Sequence, residues 1–163
     1  MSDLSQYVFQ VAKNADHFSA AGKLFREYAA GLNFDLSFQK FDQELNEINI
    51  QYDLPTGGLM LVRHSGVFIG CAGIRKFEDR IGELKRMYIQ PDHRGLGLGK
   101  ILLENVIELA KKRGYKYVRL DTLKNLASAL HLYREFGFKD IEPYRFNPRN
   151  DVLYLEKQID ENL

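Results

Sequence analysis

Residues 94 to 100 read Arg-Gly-Leu-Gly-Leu-Gly-Lys. Glycines at alternate positions let a backbone approach an anion closely and adopt positive φ where needed. The segment lies between a strand expected to end at Ile89 and a helix expected to begin near Gly97. The first turn of a helix carries unpaired N–H groups and about half a unit of positive charge. Lys100 adds a full charge at the same end. Together these make a site for phosphate or pyrophosphate. Spacing removes two other phosphate loops. A dinucleotide fingerprint needs a third glycine where Lys100 stands. A P-loop needs a glycine where Arg94 stands and a hydroxyl residue where Ile101 stands. A plain tight turn from strand to helix is the simpler alternative.

The elements that must hold this loop follow from periodicity. Tyr7 to Lys13 alternates like a strand. Phe18, Ala21, Leu24, Phe25 and Tyr28 recur at helical spacing over Ala15 to Ala30, and Gly31 stops them. Phe38, Phe41, Leu45 and Ile48 suggest a second helix. Leu59 to Arg63 and Val67 to Lys76 form a hairpin across His64-Ser65-Gly66. Leu84 to Ile89 is a strand closed by Pro91, which cannot donate to a ladder. A helical stripe from Ile101 to Ala110 ends at Gly114. A strand at Tyr117 to Leu120, a helix over Leu126 to Phe136 and a last strand at Val152 to Leu155 complete the chain. Strand, glycine loop, helix, strand is a βαβ unit, so its two strands should be parallel.

Bulk properties bound the rest. A chain of 163 residues suits a single domain over 1–163, large enough for a core without disulfides. A net charge of +1 gives no global field toward nucleic acid or a membrane surface. No apolar run approaches a membrane span, and Met1 to Gln10 does not read as a secretory signal, so cytoplasmic residence is expected. Cys71, the single cysteine, lies in an apolar run and is expected to be buried and inert. His17, His64, His93 and His131 lack ligand spacing, so no metal is expected. Lys111-Lys112-Arg113 reads as a solvated helix end suited to the dipole.

Arg94-x-x-Gly97-x-Gly99 resembles the signature of the GNAT superfamily of N-acetyltransferases. So do Glu83-Leu-Lys-Arg-Met-Tyr-Ile89, Leu120-Asp121-Thr122-Leu123, Ala129-Leu-His-Leu-Tyr133 and Gly137-Phe138. The likeness is specific over residues 81 to 157. It implies a mixed α/β fold with a mostly antiparallel sheet, a splayed parallel pair formed by the fourth and fifth strands, and about four flanking helices. It also implies transfer of acetyl from acetyl-CoA to a primary amine by direct attack, without a metal. The acceptor would be a small molecule or peptide, and a homodimer suits the family's habit.

By the same resemblance, the pyrophosphate rests on Arg94, Gly95, Leu96, Gly97, Leu98, Gly99 and Lys100, and the pantetheine arm pairs with the backbone of Met87, Tyr88 and Ile89. Tyr133 would protonate or stabilise the leaving thiolate; from periodicity alone it would be a core residue. Glu83 matches a position used as general base, against the alternative of a surface glutamate paired with Arg86 or Lys85. The asparagine usual seven residues before the tyrosine is Leu126 here. Asn125 is therefore a candidate contact to CoA, or a cap for the next helix. Tyr144, Arg145 and Asn147 are weak candidates for acceptor contact. The rival function is a degenerate module that binds acyl-CoA without catalysis; nucleotide binding at the loop is a weaker third.

Overall fold

The computed structural model describes residues 3–32, 34–36 and 40–160. Its elements are β1 (Tyr7–Val11), α1 (Ala15–Ala30), α2 (Phe41–Asn46), α3 (Ile48–Gln51), β2 (Gly58–His64), β3 (Val67–Glu78) and β4 (Ile81–Ile89). A 3-10 turn at Pro91–His93 then leads to α4 (Leu98–Lys112), β5 (Tyr117–Leu123), α5 (Ala127–Glu135), β6 (Lys139–Asp140) and β7 (Val152–Gln158). The strands form one sheet in the order β1-β2-β3-β4-β5-β7-β6. Every neighbouring pair is antiparallel except β4 and β5. The mixed α/β architecture is as the resemblance implied.

Each sheet face has its own apolar layer, because β2 and β3 alternate. Met60, Val62, Ala72 and Ile74 point to one side, where α4 presses Leu102, Leu103, Val106 and Ala110 onto them. Leu59, Leu61 and Cys71 point to the other, under Phe18, Ala21, Leu24 and Phe25 of α1. Burying one such aliphatic side chain contributes about 1.5–3 kcal/mol. The two layers therefore clamp β4 from both sides and fix where its side chains point.

Several expected boundaries shift. β1 stops at Val11, because Asn14 caps α1 by accepting the His17 N–H at 2.9 Å. The expected second helix is two short ones, with Glu47 between them at φ −120°; Phe38 lies outside the described residues. The α-helices thus number five among the described residues rather than about four. β5 and β7 run three residues longer than expected. They pair along their whole length, from Tyr117–Gln158 to Leu123–Val152, so polar positions are carried into the ladder. β6 carries no periodic signal, being two exposed residues. No helix among the described residues is long and apolar enough to cross a membrane.

The pairing of β3 with β4 contains an irregularity that decides where two charged side chains go. Along β4, Lys85 faces Gly73 and Tyr88 faces Cys71, so three steps on β4 match two on β3. The extra residue is a bulge, which re-aims side chains, and Arg86 sits there at φ +56°. Leu84 and Met87 pack on the α4 side. Lys85 and Arg86 both turn to the other side, Lys85 toward Asp121 of β5 and Arg86 toward Glu44 of α2.

Candidate active site

β4 and β5 hydrogen-bond only over Ile81–Glu83 and Tyr117–Arg119. Beyond that point a cavity of about 50 Å³ opens between them, lined by Leu84 to Met87, Leu120 to Thr122 and Tyr133. The parallel pair is therefore open toward its carboxyl ends, where ligands of such sheets bind.

The cavity continues in two directions. Outward along β4 it meets a groove of about 550 Å³, lined by Met87, Tyr88, Ile89, Arg94, Asn125, Leu126 and Ser128. That volume suits a ligand of cofactor size. The groove leads to the loop, where Gly95 and Gly97 stand at φ +80° and +85° and α4 begins without a side-chain cap. The first-turn N–H groups are thus left for an anion. Leu98 is a core residue at 2% exposure and could contribute only its backbone; Lys100 is exposed. Arg94 is exposed, but its side chain folds back along β4. Its Nε donates to the Ile89 carbonyl at 2.8 Å, and its guanidinium lies 5.5 Å from the Tyr88 ring centre. It fixes the loop to the end of β4.

In the other direction lies a small chamber lined by Tyr28, Leu32, Phe34, Leu36, Arg86, Asp121, Leu126 and Asn147. Tyr28 and Leu126 line all three spaces, so the groove, the inner cavity and the outer chamber adjoin one another.

Tyr133 stands at the inner cavity. Its hydroxyl faces Met87 Sδ at 3.8 Å, and its ring packs edge-on against Phe138. Burial raises its pKa well above the ordinary tyrosine value, with Tyr28 and Asp121 adding to the effect. It stays a protonated donor across the neutral range. It is both a core residue and a site residue.

Glu83 is not a surface glutamate. It is 1% exposed. Its carboxylate accepts from Arg75 Nε at 3.2 Å, from Tyr144 Oη at 3.0 Å and from Arg145. Its partners are neither Arg86 nor Lys85: Arg86 pairs with Glu44 and Lys85 with Asp121. Glu83 lines a separate shallow pocket with Gln51, Arg75 and Arg145 rather than the cavity between the strands. Tyr144 is held beside it, packed on Phe77 and Tyr154. Asn147 does reach the outer chamber.

Asn125 lines the groove and does not cap α5. The N-cap position is Leu126, which makes no side-chain cap. Cys71 is fully buried and donates to the Arg86 carbonyl at 3.3 Å; burial pushes its thiol pKa far up. Tyr7, His64 and His93 pack together, with Tyr7 Oη 2.7 Å from His93 Nδ1. Among the described residues, no group of three or more His, Cys, Asp or Glu could hold a metal.

Lys85, Arg86, Asp121 and Glu44 carry no site motif of their own in the sequence. The one signal available is the run Glu83-Leu-Lys-Arg86, whose adjacent charges cannot both alternate with apolar residues in a buried strand. Charges that break alternation mark a bulge or a lined cavity.

Comparison with known proteins gives a family. A model of the acetyltransferase (GNAT) family matches residues 24–138. An N-acetyltransferase of Schizosaccharomyces pombe, itself uncharacterised, is 35% identical over 97% of this chain and 96% of its own length. In overall fold the chain is similar to a GNAT-family acetyltransferase from Staphylococcus aureus (TM-score 0.76, 20% identity, covering 93% of this chain and 99% of that one). It is also similar to an acetyltransferase from Salmonella typhimurium solved with acetyl-CoA (TM-score 0.72, 19% identity, covering 98% and 97%).

Proposed function

Because the chain belongs to the GNAT family of acetyltransferases, acyltransferases of class EC 2.3.1, we propose that it moves acetyl from acetyl-CoA to a primary amine by direct attack. The observation that carries this reading is the adjacency of an anion cradle at the start of α4, a groove and an inner cavity holding a buried phenol. The Salmonella relative of similar fold was solved with acetyl-CoA, which suits this arrangement. When bound, acetyl-CoA supplies an activated thioester.

The residues then divide the work. The N–H groups of Gly95 to Lys100 bind pyrophosphate at the positive end of α4. The backbone of Met87 to Ile89, where β4 no longer pairs with β5, receives the pantetheine arm, and Asn125 flanks it. As the C–N bond forms and the C–S bond breaks, Tyr133 donates a hydrogen bond to the departing sulfur, and the proton shed by the amine ends on that sulfur, which leaves as the free thiol. The burial of Tyr133 suits that role, since water would otherwise compete for the same donor. Glu83 lies beyond the cavity, so it acts as a positioning residue: it holds Tyr144 and Arg145 and so fixes the tail before β7.

Free-thiol release from acetyl-CoA across a panel of primary amines tests the reading. Tyr133→Phe should lower kcat about 10²-fold or more and leave the Kd for CoA nearly unchanged. An unchanged kcat removes Tyr133 from the mechanism. CoA binding with no amine turned over above hydrolysis would favour a binding module instead.

A further inference from the structure

The acceptor is the open half of the reaction, and one side chain stands where it must pass. Asp121 lines both the inner cavity and the outer chamber, so it sits at the neck between them. Its side chain is 10% exposed, and its Oδ2 is buried without a hydrogen bond among the described residues. Two cations are near: Lys85 Nζ is 3.6 Å from Oδ1, and Arg145 Nη1 is 3.8 Å from Oδ2. Both are ion-pair distances beyond hydrogen-bonding range. Leaving a charged oxygen buried without a donor is costly, and a bound donor would recover that cost.

Each neighbouring cation already meets a carboxylate, and Arg145 is shared between Glu83 and Asp121. Arg86 makes two hydrogen bonds to Glu44, through Nη2 at 2.7 Å and Nε at 3.0 Å. Arg75 and Arg145 both bond to Glu83. Asp121 thus shares its negative charge chiefly with Lys85. Lys85 is itself held down: burial lowers its pKa to about 8, against the pull of Asp121 and Glu83. Burial by itself would raise the Asp121 pKa, but Lys85, Arg145 and Arg86 outweigh it, and the carboxylate stays ionised. Outside the neck the wall is part apolar, made by Leu32, Phe34, Leu36, Leu123 and Val152, and part polar, made by Tyr28, Arg86, Thr122 and Asn147.

Resting on the acetyltransferase reading above, we infer that Asp121 is the acceptor-binding residue: it receives the N–H of a primary ammonium carried on a slim apolar stem. The outer chamber is narrow, about 30 Å³, room for only a water or two. That admits a methylene chain and excludes a bulky body next to the nitrogen.

Three isosteric probes test this on CoA-loaded protein by calorimetry or ligand-observed NMR. n-Butylamine is cationic at neutral pH, O-propylhydroxylamine is the same length but uncharged, and 2-methoxyethylamine is cationic with an ether in its stem. Wild type should bind n-butylamine about tenfold or more tighter than O-propylhydroxylamine, the scale of a hydrogen bond to a charged group. It should bind 2-methoxyethylamine more weakly than n-butylamine. Asp121→Asn should abolish the preference for charge while leaving the Kd for CoA unchanged, a split that a general loss of structure would not produce. Equal binding of the charged and uncharged probes by wild type overturns the inference without any variant. So does a preference for charge that survives in Asp121→Asn. Equal binding of the ether strikes out the apolar stem. If n-butylamine binds through Asp121 but no thiol is released with any amine, the transfer reading fails and the ammonium site stands. If amines are acetylated with kcat/KM unchanged in Asp121→Asn, the reverse holds.

Discussion

Alanine at Gly97 and alanine at Gly99 should act in opposite directions, although the two positions lie two residues apart in one loop. Gly97 is the N-cap of α4 at φ +85°, and a β-carbon there would meet nothing within 4 Å. Gly97→Ala therefore creates no clash, and its whole penalty is conformational. Holding an L-residue in the left-handed region costs about 1–2 kcal/mol. Gly99 lies inside the first turn of α4. Its added β-carbon would sit 3.5 Å from Leu132 Cδ2 and 3.7 Å from Met87 Cε, ordinary contact distances. Replacing an interior helical glycine by alanine contributes about 0.5–1 kcal/mol. For a chain of this size, 1 kcal/mol moves Tm by about 2–4 °C. Gly99→Ala should thus raise Tm by about 1–4 °C.

The Gly97→Ala penalty can fall in two places. If the empty loop keeps its shape, Tm drops by about 2–8 °C and CoA affinity is unchanged. If the loop relaxes, Tm drops less and CoA binding weakens, by at most about 30-fold. Both losses expressed as free energy should add to about 1–2 kcal/mol. Thermal unfolding of the unliganded protein, with calorimetric titration of CoA, measures the two parts. Gly97→Ala leaving both unchanged would refute the reasoning, as would Gly99→Ala destabilising more than Gly97→Ala.

Glu44→Gln tests the buried charges beneath the outer chamber. Glu44 is 1% exposed and also accepts the Tyr52 hydroxyl at 2.7 Å, and removing its charge takes the carboxylate from the buried Arg86–Glu44 pair. Urea unfolding should show a loss of about 3–5 kcal/mol. The pH dependence has a definite sign. Burial raises the Glu44 pKa, but hydrogen bonds and charge from Arg86 outweigh it and hold it below the ordinary 4.5. Its contribution is therefore present above pH 4.5 and lost as pH falls through the folded-state value. The urea midpoint of wild type should fall over that range more steeply than that of Glu44→Gln. Cys71 should resist iodoacetamide in the native protein and react once denaturant is added, and Cys71→Ala should keep kcat within about threefold, the effect of a buried thiol with no part in chemistry. A rapidly labelled native thiol, or loss of turnover in Cys71→Ala, would overturn the reading of Cys71 as a buried, inert thiol.

The parts of the molecule legible in sequence are those governed by local rules. Helix α1 runs over Ala15–Ala30 as its stripe implied, with Asn14 at its cap. The hairpin around Ser65-Gly66 and the glycine-opened α4 follow from turn and cap chemistry that needs no distant partner. The groove was legible too, because Met87, Tyr88, Ile89, Arg94 and Asn125 bring it together largely through backbone position. Side chains along such a groove carry little information, and spacing carries nearly all of it.

What stayed hidden depends on pairing between distant elements. The shift of one residue between Gly73 and Cys71 turns Lys85 and Arg86 to the same face, and no window of sequence around β4 contains β3's register. Glu83 illustrates the consequence. Its type and position suggest a base, yet Arg75, Tyr144 and Arg145 arrive from two other segments and occupy its carboxylate. Asp121, on the neighbouring strand, keeps one oxygen without a hydrogen bond at the neck of the cavity. In a sheet opened between two parallel strands, the carboxylate that can meet a substrate is decided by which one the rest of the chain leaves unsatisfied. That is a property of the assembled charge network, and residue type alone cannot reveal it.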